Sequence, residues 1–124
     1  MVDVEGPGVG GPDTAAGFIA RLRDFHLECG EPSYQTLVDI SEQLPDLYPD
    51  LLQWRDLPTL SRSTISDVLN RKRVNLPSAA WVVVFVLSCQ RRALETCVLM
   101  DDPGLSVLPK WVELWQQARV AERS

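Results

Sequence analysis

The chain has 124 residues, 45% hydrophobic and 23% charged, which is the make-up of one ordinary globular domain with a single core. Its 17 acids against 12 lysines and arginines give a net charge of −5, as a total the wrong sign for a nucleic-acid binder. The apolar run Ala79 to Leu87 is too short for a membrane span, the acidic Gly-rich start does not read as a signal peptide, and three cysteines without one point to a reducing cytoplasm.

Residues 1–13 hold Gly-Pro-Gly-Val-Gly-Gly-Pro and no periodic apolar pattern, so they read as a disordered tail ahead of one helical domain over 14–124. Asp13 or Thr14 caps a first helix running to about Cys29. Phe18, Leu22, Phe25 and Cys29 recur on it at helical spacing. Gly30 ends that helix and Pro32 prevents its resumption. Ser33 caps a second helix that turns Tyr34, Leu37, Val38 and Leu44 to the core. Its first-turn amides, with Ser33 and Gln35, form a place for a phosphate, although Ser33 as a cap needs no such role to explain it.

From Leu44 to Leu60 the chain is punctuated by Pro45, Pro49 and Pro58. Leu51, Leu52 and Trp54 are too apolar for a free loop, so a short helix folded on the core is expected there. Asp46, Asp50 and Asp56 would then face away from any nucleic acid.

Ser61 is the next cap, with Leu60 and Ile65 placed as a hydrophobic staple. Ile65, Val68 and Leu69 form one narrow apolar stripe. Ser63, Asp67 and Asn70 point the other way, with Ser66 and Arg71 beside them. Arg71, Lys72 and Arg73 follow, where cations also suit the helix dipole. Local propensity reads Trp81-Val-Val-Val-Phe-Val-Leu87 as a strand. The sixteen residues 79–94 have no Gly or Pro, however, and a lone strand would lack a partner. A central, nearly all-apolar helix is the better reading. Asp101-Asp-Pro-Gly104 is a turn, and Pro109 opens a last helix within 105–121. Trp111, Trp115 and Ala118 line one side of it, either as a lid on the core or as a dimer interface, where Trp is enriched.

The segment Leu60-Ser-Arg-Ser-Thr-Ile-Ser-Asp-Val-Leu-Asn-Arg-Lys-Arg-Val-Asn-Leu-Pro77, followed by the Trp-containing apolar helix, resembles the second half of the lambda-repressor-like (Cro/Xre-type) helix-turn-helix domain of the actinomycete kind. Ser33-Tyr-Gln-Thr-Leu-Val38 is similar to that family's first motif helix, and the resemblance covers about residues 14 to 94. The chain departs from the pattern in two places. Residues 44–60 replace the tight turn, and Val38 stands where a small Ala is usual.

The resemblance implies an all-α, compact five- to six-helix domain with an enlarged helix-turn-helix turn. It also implies a DNA-binding transcriptional regulator acting as a dimer, with its recognition helix at about 61–71. Base contacts would come from Arg62, Ser63, Ser66, Asp67 and Asn70, and phosphate contacts from Ser33, Gln35, Arg71, Lys72 and Arg73. Asp67 would alternatively lock Arg71 through an i, i+4 pair.

Charge distribution agrees with that expectation better than the total does. Residues 61–94 carry six lysines or arginines against Asp67 alone, whereas residues 1–60 carry eleven acids against three arginines. The competing expectation is a helical protein–protein interaction module, adaptor or antitoxin-like, that keeps the fold without binding DNA. The acidic total and the enlarged turn favour it.

Enzyme chemistry finds little support. His26 is the single histidine, and there is no Gly-rich phosphate loop or nucleophile elbow. His26 and Cys29 with Cys89 and Cys97 lack the paired close spacing of a zinc motif. The three cysteines read as buried small residues, and no cofactor or metal is expected.

Overall fold

The computed structural model describes residues 14–53, 57–70 and 76–123. Five α-helices follow in order: α1 Ala15–Glu28, α2 Tyr34–Leu47, α3 Arg62–Leu69, α4 Ala79–Glu95 and α5 Leu108–Arg123. Short 3-10 turns at Pro49–Gln53 and Gly104–Val107 complete the set, and no strand occurs among the described residues. The expected tail and Trp54 lie outside the described residues.

Helix starts follow the capping chemistry. Thr14, Ser33, Ser61 and Ser78 each accept a first-turn amide, from Gly17, Thr36, Thr64 and Trp81. Helix α1 closes through a Schellman arrangement, in which the Gly30 N–H reaches Leu27 O and the Glu31 N–H reaches His26 O, both at 3.0 Å. Gly30 sits at φ +94°. The end of α4 repeats the motif, with Cys97 N–H to Leu94 O at 3.2 Å and Val98 N–H to Ala93 O at 2.8 Å. Here a cysteine, not a glycine, holds the left-handed position, at φ +61°.

Helix α4 is the axis of the fold. Every residue from Trp81 to Gln90 is buried, and α1, α2 and α5 pack around it. Trp81 stacks on Phe85 with ring centroids 5.1 Å apart. Phe18, Leu22, Leu37, Leu44, Leu51 and Leu87 fill the space between the layers. Of the two buried polar residues of α4, Ser88 and Gln90, the second makes the long-range side-chain bonds. Its amide donates to Gly104 O at 3.0 Å and lies 3.3–3.4 Å from the Asp102 carboxylate and the Tyr48 hydroxyl, which tethers both 3-10 turns to the axis. Burial pushes the Tyr48 phenol above its ordinary pKa range.

Three local expectations change. Helix α2 runs through Pro45 to Leu47 and does not break at Leu44. Burial of Leu44 and Tyr48, and the bond from Tyr48 N–H to Leu44 O at 2.8 Å, carry the helix past a proline whose own side chain is exposed. Cys97 is exposed, whereas Cys29 and Cys89 are buried as expected. The last helix begins at Leu108, one residue ahead of Pro109, and extends to Arg123.

Substitutions in the core and at the helix ends test this packing. Phe85→Ala leaves a hole in the centre of the core and should cost about 3–5 kcal/mol in a denaturant titration. The left-handed positions Gly30 and Cys97 should respond in opposite senses. Gly30→Ala meets Val98 Cγ2 at 3.2 Å at a φ that suits glycine, so it should destabilise. Cys97→Gly relieves a strained backbone and should raise stability by up to about 1 kcal/mol, read as melting temperature.

Candidate nucleic-acid interface

Helix α3 has eight residues, too short to persist alone, so its geometry depends on what it is pinned to. Ile65, Val68 and Leu69 are buried, and they seat it on α1 and α2. A second pin lies just before its cap. The buried Ser41 hydroxyl donates to Val38 O at 2.7 Å and accepts the Leu60 N–H at 3.1 Å, fixing the approach to α3 against α2. Leu60 and Ile65 are both buried, as the staple requires.

With its stripe used inward, α3 offers a polar edge. Ser61, Arg62, Ser63 and Asn70 are exposed, and Ser66 and Asp67 are half-buried. Ser61 caps Thr64 twice, taking its N–H at 3.2 Å and donating to its hydroxyl at 2.7 Å. Arg62 has no ion pair among the described residues, so its fork of donors is open. The Asn70 amide donates to Ser66 Oγ at 3.1 Å. That bond orients the amide while leaving its carbonyl and one N–H free, the acceptor–donor pair that matches an adenine edge. Arg71, Lys72 and Arg73, and with them the Asp67–Arg71 pairing, lie outside the described residues.

At the start of α2, Ser33 commits its hydroxyl to Thr36, accepting the N–H at 3.1 Å with the two hydroxyls 2.8 Å apart. The first-turn amides of Tyr34 and Gln35 are then the ones without a helical partner. The Gln35 side chain donates to Asp39 at 2.9 Å, which brings a carboxylate close to this end of the helix. Asp46 and Asp50 are exposed, and Asp56 lies outside the described residues.

Between the end of α1, the start of α2 and the end of α3 lies a notch of about 150 Å³. Arg23, Tyr34 and Asn70 line it, with Glu31 and His26. Sequence reasoning missed Arg23 and Tyr34 here. Only the turn at Gly30, held further by the His26 Nε2–Pro32 O bond at 2.8 Å, brings them beside Asn70.

Trp111 and Trp115 are half-buried and engaged within the chain. Trp111 meets Phe25 and Phe18 edge-on at 5.3 and 6.0 Å, and Trp115 Nε1 donates to Pro77 O at 2.8 Å. They form a lid on the core from α5.

No group of His, Cys, Asp and Glu side chains among the described residues is arranged to hold a metal ion. Burial, with the charge of Glu28, pushes the Cys29 thiol up to about 11, and burial raises Cys89 as well, so both stay protonated near neutrality. No described helix is long and apolar enough to cross a membrane. Comparison with known proteins finds no matching family model, curated protein or solved structure.

The Ser41 pin is testable. Ser41→Ala leaves the Leu60 N–H buried without an acceptor and should cost about 1–3 kcal/mol. Amide exchange in α3 should rise more than in α4.

Proposed function

We propose that the protein is a sequence-specific double-stranded-DNA-binding transcriptional regulator, without enzymatic activity, in which α2 and α3 act as the helices of a helix-turn-helix with an enlarged turn. The observation that carries the reading is the open polar edge of α3. Arg62 is unpaired among the described residues, and Asn70 is pre-oriented by Ser66 on a helix anchored through a buried stripe. In this reading α3 enters the major groove and reads bases with Arg62, Ser63, Ser66, Asp67 and Asn70. Arg71, Lys72 and Arg73, with the first amides of α2, hold phosphates. The Xre-type resemblance is part of the same proposal. So is a dimer on a two-fold operator, whose half-sites would lie about one helical turn apart.

One observation favours the competing reading, a protein-binding adaptor or antitoxin-like module. Asp39 sits on Gln35, and Glu42 and Asp46 are also exposed on α2. These acids would repel a phosphate and suit a basic protein surface.

Filter binding at two salt concentrations separates the readings. The DNA reading expects affinity to fall steeply with salt, because each phosphate contact releases condensed counterions. Arg71→Ala or Arg73→Ala should weaken binding to every sequence alike and flatten the log–log salt slope by roughly 0.9 for each phosphate no longer neutralised. Asn70→Ala should cost about 1–3 kcal/mol on the preferred site and little on random DNA. Absence of binding to any genomic fragment at low salt would reject the regulator and leave the protein-binding module.

A further inference from the structure

We infer that Arg23 on α1 is a backbone-phosphate contact of the proposed DNA-binding surface, acting from the notch it shares with Asn70 at the end of α3. Its role there rests on the DNA reading above.

The notch adjoins the polar edge of α3 directly. Leu69 and Asn70, the last residue of that helix and its C-cap, line it together with Arg23 and Tyr34. Helix α1 packs on α3, and the closing bonds at Gly30 turn the chain from α1 into α2 at this point. The His26 Nε2–Pro32 O bond at 2.8 Å holds the turn, and the His26 ring lies 5.9 Å from that of Tyr34, the first residue of α2. Arg21, two residues earlier on α1, lines a different groove, the one α1 forms with α5 beside Lys110 and Trp111. Of these two arginines, Arg23 is the one set beside α3.

The state of Arg23 suits a phosphate. It is exposed and forms no ion pair among the described residues, even with Glu31, which lines the same notch. No acid stands three or four residues from it on α1, where Ile19, Ala20, His26 and Leu27 occupy those positions. Its planar fork of N–H donors is therefore open for a pair of phosphate oxygens. The notch measures about 150 Å³, roughly the share of liquid volume taken by five waters, which admits one phosphate group. A duplex whose base edge meets Asn70 in the major groove presents the phosphates bounding that groove to the elements that flank α3, and α1 is one of them. The contact of Arg23 is accordingly assigned to the backbone, which carries no sequence information.

The full-length protein with a short duplex of random sequence tests this across a salt series, using wild type, Arg23→Gln, Arg23→Lys and Arg21→Gln. Arg23→Gln should reduce affinity for all sequences alike and flatten the salt slope by roughly 0.9 for each phosphate left without its arginine, with an unchanged melting temperature. Arg23→Lys should restore the slope, because a point charge still replaces a counterion. Arg21→Gln makes the same charge change on the side of α1 that faces α5, and should leave the slope at its wild-type value. If wild type binds and Arg23→Gln keeps the wild-type slope, or Arg21→Gln flattens it equally, this inference is overturned and the DNA reading stands. If wild type does not bind at all, both fall together.

Discussion

Everything in this fold depends on the need to cover α4 on all sides. Ten consecutive residues, Trp81 to Gln90, are buried, and a helix that is apolar around its whole circumference cannot lie at a surface. Helices α1, α2 and α5 supply the cover, and their own apolar stripes are consumed in doing so. The one amide on the axis, Gln90, turns the same constraint to use. Its donors must be satisfied where no water reaches, and the partners it finds at Gly104 O, Asp102 and Tyr48 fix the two short turns at that end.

Because three helices suffice for α4, α3 is held on the outside of α1 and α2, with its polar edge outward. A short helix in that position is only as well placed as its anchors. The apolar stripe sets its rotation, and Ser41 sets its approach through a single hydroxyl that both donates and accepts. The same dependence on one polar anchor appears at Pro77, whose carbonyl is the point where α5 grips the start of α4.

Much of this is legible in the sequence because its causes are local. A hydroxyl ahead of an apolar period names a helix start, so spacing alone places Ser33 and Ser61, and Gly30 followed by Pro32 names a helix end. Helix α4 is readable against its strand propensity because a run of that length without Gly, Pro or a pairing partner has no other stable home. What escapes has long-range causes. Tyr48 and Gln90 are 42 residues apart, Trp115 and Pro77 are 38 apart, and no periodicity pairs them. Passage of α2 through Pro45 is decided by the burial of Leu44 and Tyr48, and the left-handed Cys97 by the same closing bonds that favour glycine elsewhere. At the candidate site the sequence marks the polar edge of α3. The Asn70–Ser66 bond, the Gln35–Asp39 bond and the notch beside Arg23 depend on side-chain placement that spacing does not encode.

The central claim is that the polar edge of α3 meets duplex DNA. Amide hydrogen exchange of the full-length protein, measured with and without saturating genomic duplex at low salt, tests it most directly. New protection is expected over 61–73 and at the first turn of α2, with α4 unchanged because its amides are already buried. Protection absent from α3, or confined to the acidic face of α2 when a protein partner replaces the DNA, would contradict it.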